Sequence, residues 1–483
     1  MHPAALVRSR AVLFALLLLP LPALAGDEAA PDPAEEAADD TEPAAGEASD
    51  EIPAATDDAV AEPEPEPEPE PVAEPVPEPE PAPVVEAPPP VEPKPALPPV
   101  LFALSAQERV RFEAAPDWLF DGNPDAGWRI GNRARIGVKA TWGPVAGFFQ
   151  IQDVRFWGSE VNPASGNEGT LFDWVADGLD IHQAWAEVVS PYGLSFRVGR
   201  QEINWHGQRL IGAVGWTHQA RSFDAVRLEL DREEVGAEVF YAKLLERPVN
   251  TTDVSSRGDD QHLLALRGGP RVGKALYLDG LAIFRFDDAV SERLVTAGVY
   301  AKGTGGPLYY EAEGYVQGGT RAGTDVLAYL FGGRIGVSLP DSAGLKIGGG
   351  ADIVSGDGDP ADGTIRGFDT LYATNHKFYG HIDRYLALPA HAANQGLFDG
   401  VVNFAVSPVK PLTVALDVHV FASPAATADK LHGAELDLSA HLVPVKPLKI
   451  SAGLWVYVPG AWHQITDAKP EVAGYLQTDF TFQ

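Results

Sequence analysis

The chain has 483 residues, a formal net charge of −32 and no cysteine. The absence of cysteine excludes a small module held together by disulfides, so burial and strand pairing must stabilise the fold. The sequence also lacks a phosphate-binding glycine loop, a His-Glu-x-x-His zinc signature and a basic surface of the kind that binds nucleic acid.

The N-terminus predicts an export signal over residues 1–25. Arg8 and Arg10 supply a positive segment, residues 11–19 are apolar, and residues 23–25 read Ala-Leu-Ala, the small residues that signal peptidase requires. The alternative is a membrane anchor helix. It is disfavoured because the apolar run is short and is followed by two prolines.

Residues 26–99 predict a disordered, acidic, proline-rich arm. Residues 26–100 hold 23 acidic residues against one basic residue, Lys94, and so account for −22 of the net charge. Proline lacks an amide hydrogen and like charges repel, which favours extended polyproline II over helix or sheet. The arm is either a solvated spacer in the periplasm or a contact for a periplasmic or cell-wall partner.

The remaining segment, residues 100–483, predicts membrane strands. After the signal no run reaches the ~18 apolar residues of a spanning helix. Short stretches alternate instead: Val226, Leu228 and Leu230 share one face, while Arg227 and Glu229 share the other. The same alternation occurs in residues 235–241, in residues 412–421 and in the final strand, residues 472–482, which ends in aromatic side chains before Gln483. Strands of about ten residues with one apolar face are what an outer-membrane barrel requires.

Repeated proline-containing sequences predict the turns. Residues 407–412 read SPVKPL and residues 443–448 read VPVKPL, and each copy separates two alternating strands. Residues 190–194 and 339–345 predict two more turns of this kind, all facing the periplasm. At roughly 20 to 22 residues per strand and connection, the segment predicts an all-β fold, a transmembrane antiparallel β-barrel of about 18 strands, with 16 as the alternative. A barrel of that size encloses an aqueous lumen.

Two blocks carry a family resemblance. Residues 198–212 read VGRQEINWHGQRLIG and residues 355–380 read SGDGDPADGTIRGFDTLYATNHKFYG. In these blocks the chain is similar to the alginate export family of outer-membrane porins, and the resemblance extends over residues 104–483. It implies a monomeric 18-stranded barrel in the outer membrane of a Gram-negative cell, with a narrow lumen whose basic side chains suit an anionic polysaccharide. Many members of the family have no known substrate, so the resemblance supports a porin better than it supports alginate.

Eight arginines are candidates for lining the pore or contacting substrate. Guanidinium groups bind carboxylates bidentately and stay charged at any pH, which suits a polyuronate. Carboxylates close in sequence, such as Glu187, Glu202 and Asp224, support the other reading, in which ion pairs stiffen the wall. The two readings carry equal weight, and the candidates are Arg129, Arg133, Arg135, Arg197, Arg200, Arg209, Arg221 and Arg227.

The second block predicts a loop that the resemblance makes a candidate gate, with Asp357, Asp362, Asn375 and His376 as its motif residues. Asp357, Asp359 and Asp362 are also candidate calcium ligands because they lie between glycines, although the twelfth-position Glu of an EF-hand is missing. An ordinary loop is the favoured interpretation, and no other metal or cofactor is predicted.

A hydrolase using His376 is disfavoured because no nucleophile motif is present. The leading functional hypothesis is a porin in contact with outer-membrane lipid that passes a carbohydrate passively. An anionic polysaccharide or oligosaccharide is one candidate cargo. The alternative is a structural barrel that anchors the arm and transports nothing.

Overall fold

The computed structural model describes residues 98–116, 126–157, 178–245, 260–426, 429–463 and 469–482. The predicted signal peptide and almost all of the predicted arm lie outside these ranges. Among the described residues, no helix is long and apolar enough to cross a membrane.

The described residues form nineteen strands and four single-turn 3-10 helices, the latter at His206–Gln208, Asn375–Lys377, Ala390–Ala392 and Ala461–His463. The strands are β1 Leu101–Pro116, β2 Ala126–Trp142, β3 Val145–Phe156, β4 Gly178–Val189, β5 Leu194–Gln201, β6 Phe223–Arg232, β7 Val235–Leu245, β8 Gln261–Val272, β9 Leu276–Asp287, β10 Glu292–Gly305, β11 Leu308–Arg321, β12 Thr324–Leu339, β13 Leu345–Val354, β14 Thr364–Ile365, β15 Leu397–Val409, β16 Leu412–Ala422, β17 Leu431–Val445, β18 Leu448–Pro459 and β19 Glu471–Phe482.

Eighteen of these strands close into one antiparallel barrel. Each long strand pairs with the next along the chain, and β19 pairs back to β1, with Phe482 opposite Ala106. The short strand β14 is not part of the wall and pairs in parallel with the start of β12. The structure therefore confirms the antiparallel barrel and settles the strand number at 18 rather than 16.

The two faces of each strand differ as the alternation predicts. On β6, Val226 and Leu228 are 41% and 39% exposed, whereas Arg227 faces inward and its Nε lies 2.7 Å from Glu238 Oε1. Val472 and Leu476 on β19 are also exposed, and Ala473 and Gln477, which follow them, are buried. Exposed apolar side chains around the outer face are what a lipid-facing wall presents.

The predicted turns all lie at one end of the barrel. Neighbouring turns are joined there by backbone bonds: Ser407 N–H donates to Ala343 O, Val443 N–H to Pro411 O, and Thr481 N–H to Pro447 O. Lys410–Pro411 and Lys446–Pro447 each connect two strands directly, so the repeated sequence does mark two equivalent turns.

The opposite end carries the long connections, and two of them fold into the barrel. We call residues 202–222, between β5 and β6, the first loop, and residues 355–396, between β13 and β15, the second loop. Their buried apolar side chains, including Ile203, Ile211, Phe368 and Ile382, pack with inward-facing side chains of the wall into one cluster. Burying a large apolar side chain contributes roughly 1.5–3 kcal/mol, so this cluster is what holds two long connections inside the barrel.

Candidate functional site: the loop-filled lumen

The first loop is held by arginines that reach it from the wall. Arg109 on β1 donates from Nη1 to Gly215 O at 2.8 Å and from Nη2 to Thr217 O at 2.6 Å. Arg111 donates to Trp216 O at 2.8 Å and lies over the ring of the same tryptophan, 4.1 Å from its centroid. These side chains are almost fully buried. Backbone carbonyl groups that would otherwise lack a hydrogen-bond donor inside the barrel thus accept from charged side chains.

A tight left-handed turn lets the first loop reverse direction inside the lumen. His206, Gly207 and Gln208 all have positive φ, at 45°, 66° and 73°. His206 Nε2 lies 2.9 Å from Asp279 Oδ2, and its ring stacks on Tyr300 with centroids 4.4 Å apart. Burial is the largest influence on His206 and lowers its pKa, so this contact holds a neutral ring.

Arg209 is the most enclosed charge of the first loop. It is 2% exposed, and its guanidinium lies 2.5 Å from Glu313 and 3.0 Å from Asp352. It also lies 3.5 Å from the centroid of the Phe378 ring and donates to Tyr379 Oη at 3.1 Å. Burial alone would lower the pKa of Arg209, but Asp352 and Glu313 outweigh burial and hold it well above its ordinary value.

The two sequence blocks that carry the family resemblance meet at this point. Ile211 of the first loop and Tyr372 of the second form a parallel β-bridge. Gly212 N–H donates to Tyr372 O, and Tyr372 N–H donates to Leu210 O, both at 2.9 Å. Arg221 adds a 2.5 Å bond from Nη1 to Tyr372 O. The blocks therefore form one paired unit inside the barrel.

Most of the eight predicted arginines have partners within the protein. Arg129 contacts Glu113 at 2.8 Å, Arg135 contacts Glu202 at 3.3 Å, Arg197 contacts Glu187 at 2.8 Å, and Arg227 contacts Glu229 and Glu238. Arg133 donates to Gly215 O and Thr217 O and belongs with the arginines that hold the first loop. Pairing with carboxylates, one of the two interpretations that the sequence left open, is therefore present at Arg129, Arg135, Arg197 and Arg227.

Arg200 corrects the prediction, because it lies on the outer face. Phe196 and Val198, four and two positions earlier on the same strand, are 46% and 43% exposed, and alternation places Arg200 with them. Its guanidinium pairs with Asp224 at 2.9 Å, near the end of the strand.

The second loop uses its motif residues for its own structure. Asn375 Nδ2 donates to Thr370 Oγ1 at 2.8 Å, and His376 Nδ1 lies 2.6 Å from Asp383 Oδ1. The His376 ring stacks on Trp216 at 4.1 Å with the planes 9° apart, which ties the second loop to the first. Within the part of the chain that the structure describes, no serine is hydrogen-bonded to His376.

The three candidate calcium ligands serve a turn instead. Asp357 accepts the backbone N–H of Asp359, Asp359 accepts that of Ala361, and Asp362 accepts that of Thr364. Asp362 also pairs with Arg366 at 2.5 Å. Among the described residues, no three His, Asp or Glu side chains are grouped so that they could hold a metal ion.

Several inward-facing charges were missed by the sequence reading. Arg267 on β8 lies 2.7 Å from Glu238 and 3.0 Å from Asp279, and Arg271 lies 2.9 Å from Asp279. The register places Arg197 opposite Arg227, and Glu238 opposite Arg267. We call Arg197, Arg227, Arg267 and Arg271 the arginine row. Arg267 and Arg271 were not among the sequence candidates. Their alternation with apolar neighbours along β8 is the signal that could have predicted their inward position.

A cavity of about 190 Å³ lies where the two loops meet the wall. Its floor is Gly332 and Gly333 of β12, and a Cβ at Gly332 would lie 2.5 Å from Asp352 Oδ1. A side chain at this position would displace the Asp352 carboxylate, which contacts Arg209 and Arg334. The other lining residues are Arg209, Glu311, Glu313, Arg334, Lys377 and Phe378.

Comparisons with known proteins agree with this architecture. The sequence profile of the family described as "Alginate export" matches residues 99–422. No curated protein sequence matches the chain.

Among solved structures, OccK8 (OprE) of Pseudomonas aeruginosa is 14% identical with a TM-score of 0.54, over 79% of this chain and 98% of that one. OccAB4 of Acinetobacter baumannii is 9% identical with a TM-score of 0.53, over 79% and 98%. OccK11 (OpdR) of Pseudomonas aeruginosa is 12% identical with a TM-score of 0.52, over 79% and 96%. At these identities the likeness concerns the fold. The family match supplies the identity, and the chain belongs to the alginate export family of outer-membrane channels, which are not enzymes.

Proposed function

We propose that the barrel passes a carbohydrate passively across the outer membrane, and that the favoured cargo is an anionic oligosaccharide or polysaccharide. The observation that carries this proposal is the arginine row on the inner face of β5, β6 and β8. Its four arginine side chains are 13% to 22% exposed, so none of them is fully enclosed. The family description, alginate export, points to the same class of cargo.

Carboxylates of the wall balance the positive charges of the arginine row, and this balance determines how the row would bind a cargo. Glu187, Glu229, Glu238 and Asp279 neutralise the four arginines in the empty protein. A passing carboxylate would compete with these partners for one edge of each guanidinium group, which binds it bidentately. Because every contact exchanges one ion pair for another, binding stays weak enough for release, which conduction requires.

Block of single-channel current tests the cargo. The full chain is inserted in a planar bilayer, and uronate oligomers or neutral oligosaccharides of equal length are added. We expect the uronates to reduce the current at concentrations where neutral sugars do not. Arg227→Gln should weaken this block, whereas the matched variant Arg200→Gln, on the outer face, should leave it unchanged. Equal block by both sugars would refute an anionic cargo.

A second candidate function is favoured by the packed loops. If they close the lumen completely, the barrel would act as an anchor, and the acidic arm, residues 26–99, would link it to a periplasmic partner. That role places the short-turn end and the arm in the periplasm. An anchor carries no current under any condition, whereas the channel does.

A further inference from the structure

Two arginines lie directly opposite each other on the part of the wall that holds the first loop. In the register of β1 and β2, Arg109 pairs with Arg133, and both side chains face the lumen. They are 3% and 4% exposed. Residues directly opposite on an antiparallel pair have Cβ atoms about 4.5–5.5 Å apart, and like charges in that position repel each other. The wall and the loop therefore enclose two positive charges at close range.

The hydrogen bonds of these two side chains go to uncharged acceptors. Arg109 donates to Gly215 O at 2.8 Å and to Thr217 O at 2.6 Å. Arg133 donates to the same two oxygen atoms at 3.3 Å and to Gln107 Oε1 at 3.0 Å. A carbonyl oxygen carries only a partial negative charge, and here one pair of carbonyl groups serves two guanidinium groups. The acceptors thus satisfy several N–H groups without cancelling either charge.

The neighbouring carboxylates are engaged elsewhere. Glu113 and Glu202 form ion pairs with other arginines of the wall. Asp479, opposite Arg109 in the register with β19, accepts a 2.6 Å bond from Gln477 Nε2. Within the described ranges of the chain, neither of the two opposed arginines lies within ion-pairing distance of a carboxylate. A buried charge without a counter-charge is strongly destabilising, so the pair requires a source of negative charge.

Three buried N–H donors of this region also lack an acceptor among the described residues. They are Arg109 Nε, Arg133 Nε and Arg135 Nη2. Arg135 is the next inward-facing residue of β2, and its other N–H groups donate to Gln152 and Glu202. A buried donor without an acceptor costs free energy comparable to that of a lost hydrogen bond. One small anion would satisfy both the leftover donors and the uncompensated charge.

We propose that Arg109, Arg133 and Arg135 bind a small inorganic anion such as chloride, which acts as their counter-ion and holds the first loop in place. A monatomic ion suits the site because the two opposed arginines are almost fully enclosed, so a sugar chain does not reach them. The anion offsets the repulsion between the guanidinium groups, which then keep their bonds to the carbonyl groups of Gly215 and Thr217. The site belongs to the fold of the first loop and does not depend on transport of a cargo.

A chloride titration at constant ionic strength tests the site. The full chain is folded in detergent, and chloride replaces isethionate, a larger anion, while the ionic strength stays fixed so that general screening does not change. We expect the opening constant of the amides in residues 213–219, measured by hydrogen exchange, to fall as chloride rises. Because only the docked loop binds the ion, the fall should reach about tenfold per tenfold increase in chloride above the dissociation constant.

Two substitutions of Arg133 separate anion binding from a purely structural contact. Arg133→Gln removes one of the two opposed charges, so we expect the chloride dependence to disappear. Arg133→Glu places a carboxylate opposite Arg109 as a built-in counter-charge, so protection of the first loop should be the same with and without chloride. This second variant serves if the first does not fold. The matched control Arg155→Gln, on the outer face, should keep the wild-type dependence.

Bromide gives an independent readout, because its anomalous scattering locates the ion in crystals of the full chain. We expect a bromide peak in contact with Arg133 in the wild type and none at that place in Arg133→Gln. Wild-type protection that does not change with chloride would overturn the proposal. Equal chloride dependence in the wild type and both variants of Arg133, or a wild-type crystal without bromide at this position, would overturn it as well.

Discussion

The two loops inside the barrel differ in the backbone groups that charged side chains of the wall hold. Arg109 and Arg111 donate to backbone carbonyl groups of the first loop, whereas Glu435 and Asp437 accept backbone N–H groups of the second. Hydrogen bonds to charged groups are stronger than those between neutral groups, so each set fixes the path of its loop. The comparison teaches that the wall holds the two connections through separate contacts, and the bridge between Ile211 and Tyr372 joins them to each other.

The largest effect should follow from removing the charge at the centre of the first loop. Arg209→Met would leave Glu313 buried without its counter-charge and would leave Asp352 paired with Arg334 alone. Breaking such a buried pair costs about 3–5 kcal/mol. We expect the first loop to become sensitive to protease in the folded barrel and the barrel to unfold at lower urea concentration. Arg155→Met, on the outer face, is the matched control. Unchanged protease resistance would show that the loop does not depend on Arg209.

A smaller effect should follow from removing one donor of the wall. Arg109→Met takes away the bonds to Gly215 O and Thr217 O, and hydrogen bonds from charged groups contribute about 1.5–3 kcal/mol. Arg133 also reaches both carbonyls and limits the loss. Exchange of amides in residues 213–219 should accelerate while those of the second loop keep their protection. Equal acceleration in both loops would mean that they do not have separate fastenings.

Acid should loosen the first loop in a measurable pH window. Burial lowers the pKa of His218 to about 3, although the hydrogen bond to Glu113 acts in the opposite direction and raises it. The folded loop thus excludes a proton that an unfolded chain binds below about pH 6.5. The contribution of the loop to the free energy of unfolding is therefore complete above about pH 6.5 and decreases as pH falls from there towards 3. Near pH ~5.5 this contribution is lower by about 1 kcal/mol. His218→Gln should flatten this profile in urea titrations, and an unchanged slope would contradict the assignment.

The smallest expected effect concerns the contact between the loops. Trp216 stacks on His376, and such ring pairs contribute about 0.5–1.5 kcal/mol beyond burial. A double-mutant cycle of Trp216→Ala and His376→Ala should give a coupling energy in that range. The readout is protease sensitivity of the second loop. Strict additivity would show that the stack does not transmit stability from the first loop to the second.

Strand alternation was sufficient to predict the wall. The outward face of Val226 and Leu228, the turns at residues 410–411 and 446–447, and the closing strand all follow from a period of two and from turn chemistry. The same rule places Arg200 outside with Val198. We predicted that Arg200 faces the lumen because it belongs to a sequence motif. That motif was given more weight than the alternation of the strand.

The filling of the lumen could not be predicted in the same way. Arg221 bonds to Tyr372, 151 positions along the chain, and no local pattern encodes such a contact. The bonds of Glu435 and Asp437 to the second loop are equally hidden, because alternate residues on one strand face were expected to meet water. Loop residues acquire their partners only when the barrel brings distant connections into one enclosed volume.

The most direct test of the channel is the current through the full chain in a planar bilayer under a salt gradient. The account predicts discrete current steps with a reversal potential shifted towards anions, and a smaller shift in Arg227→Gln but not in Arg200→Gln. Folded protein that inserts and gives no current steps would contradict it and leave the barrel as an anchor.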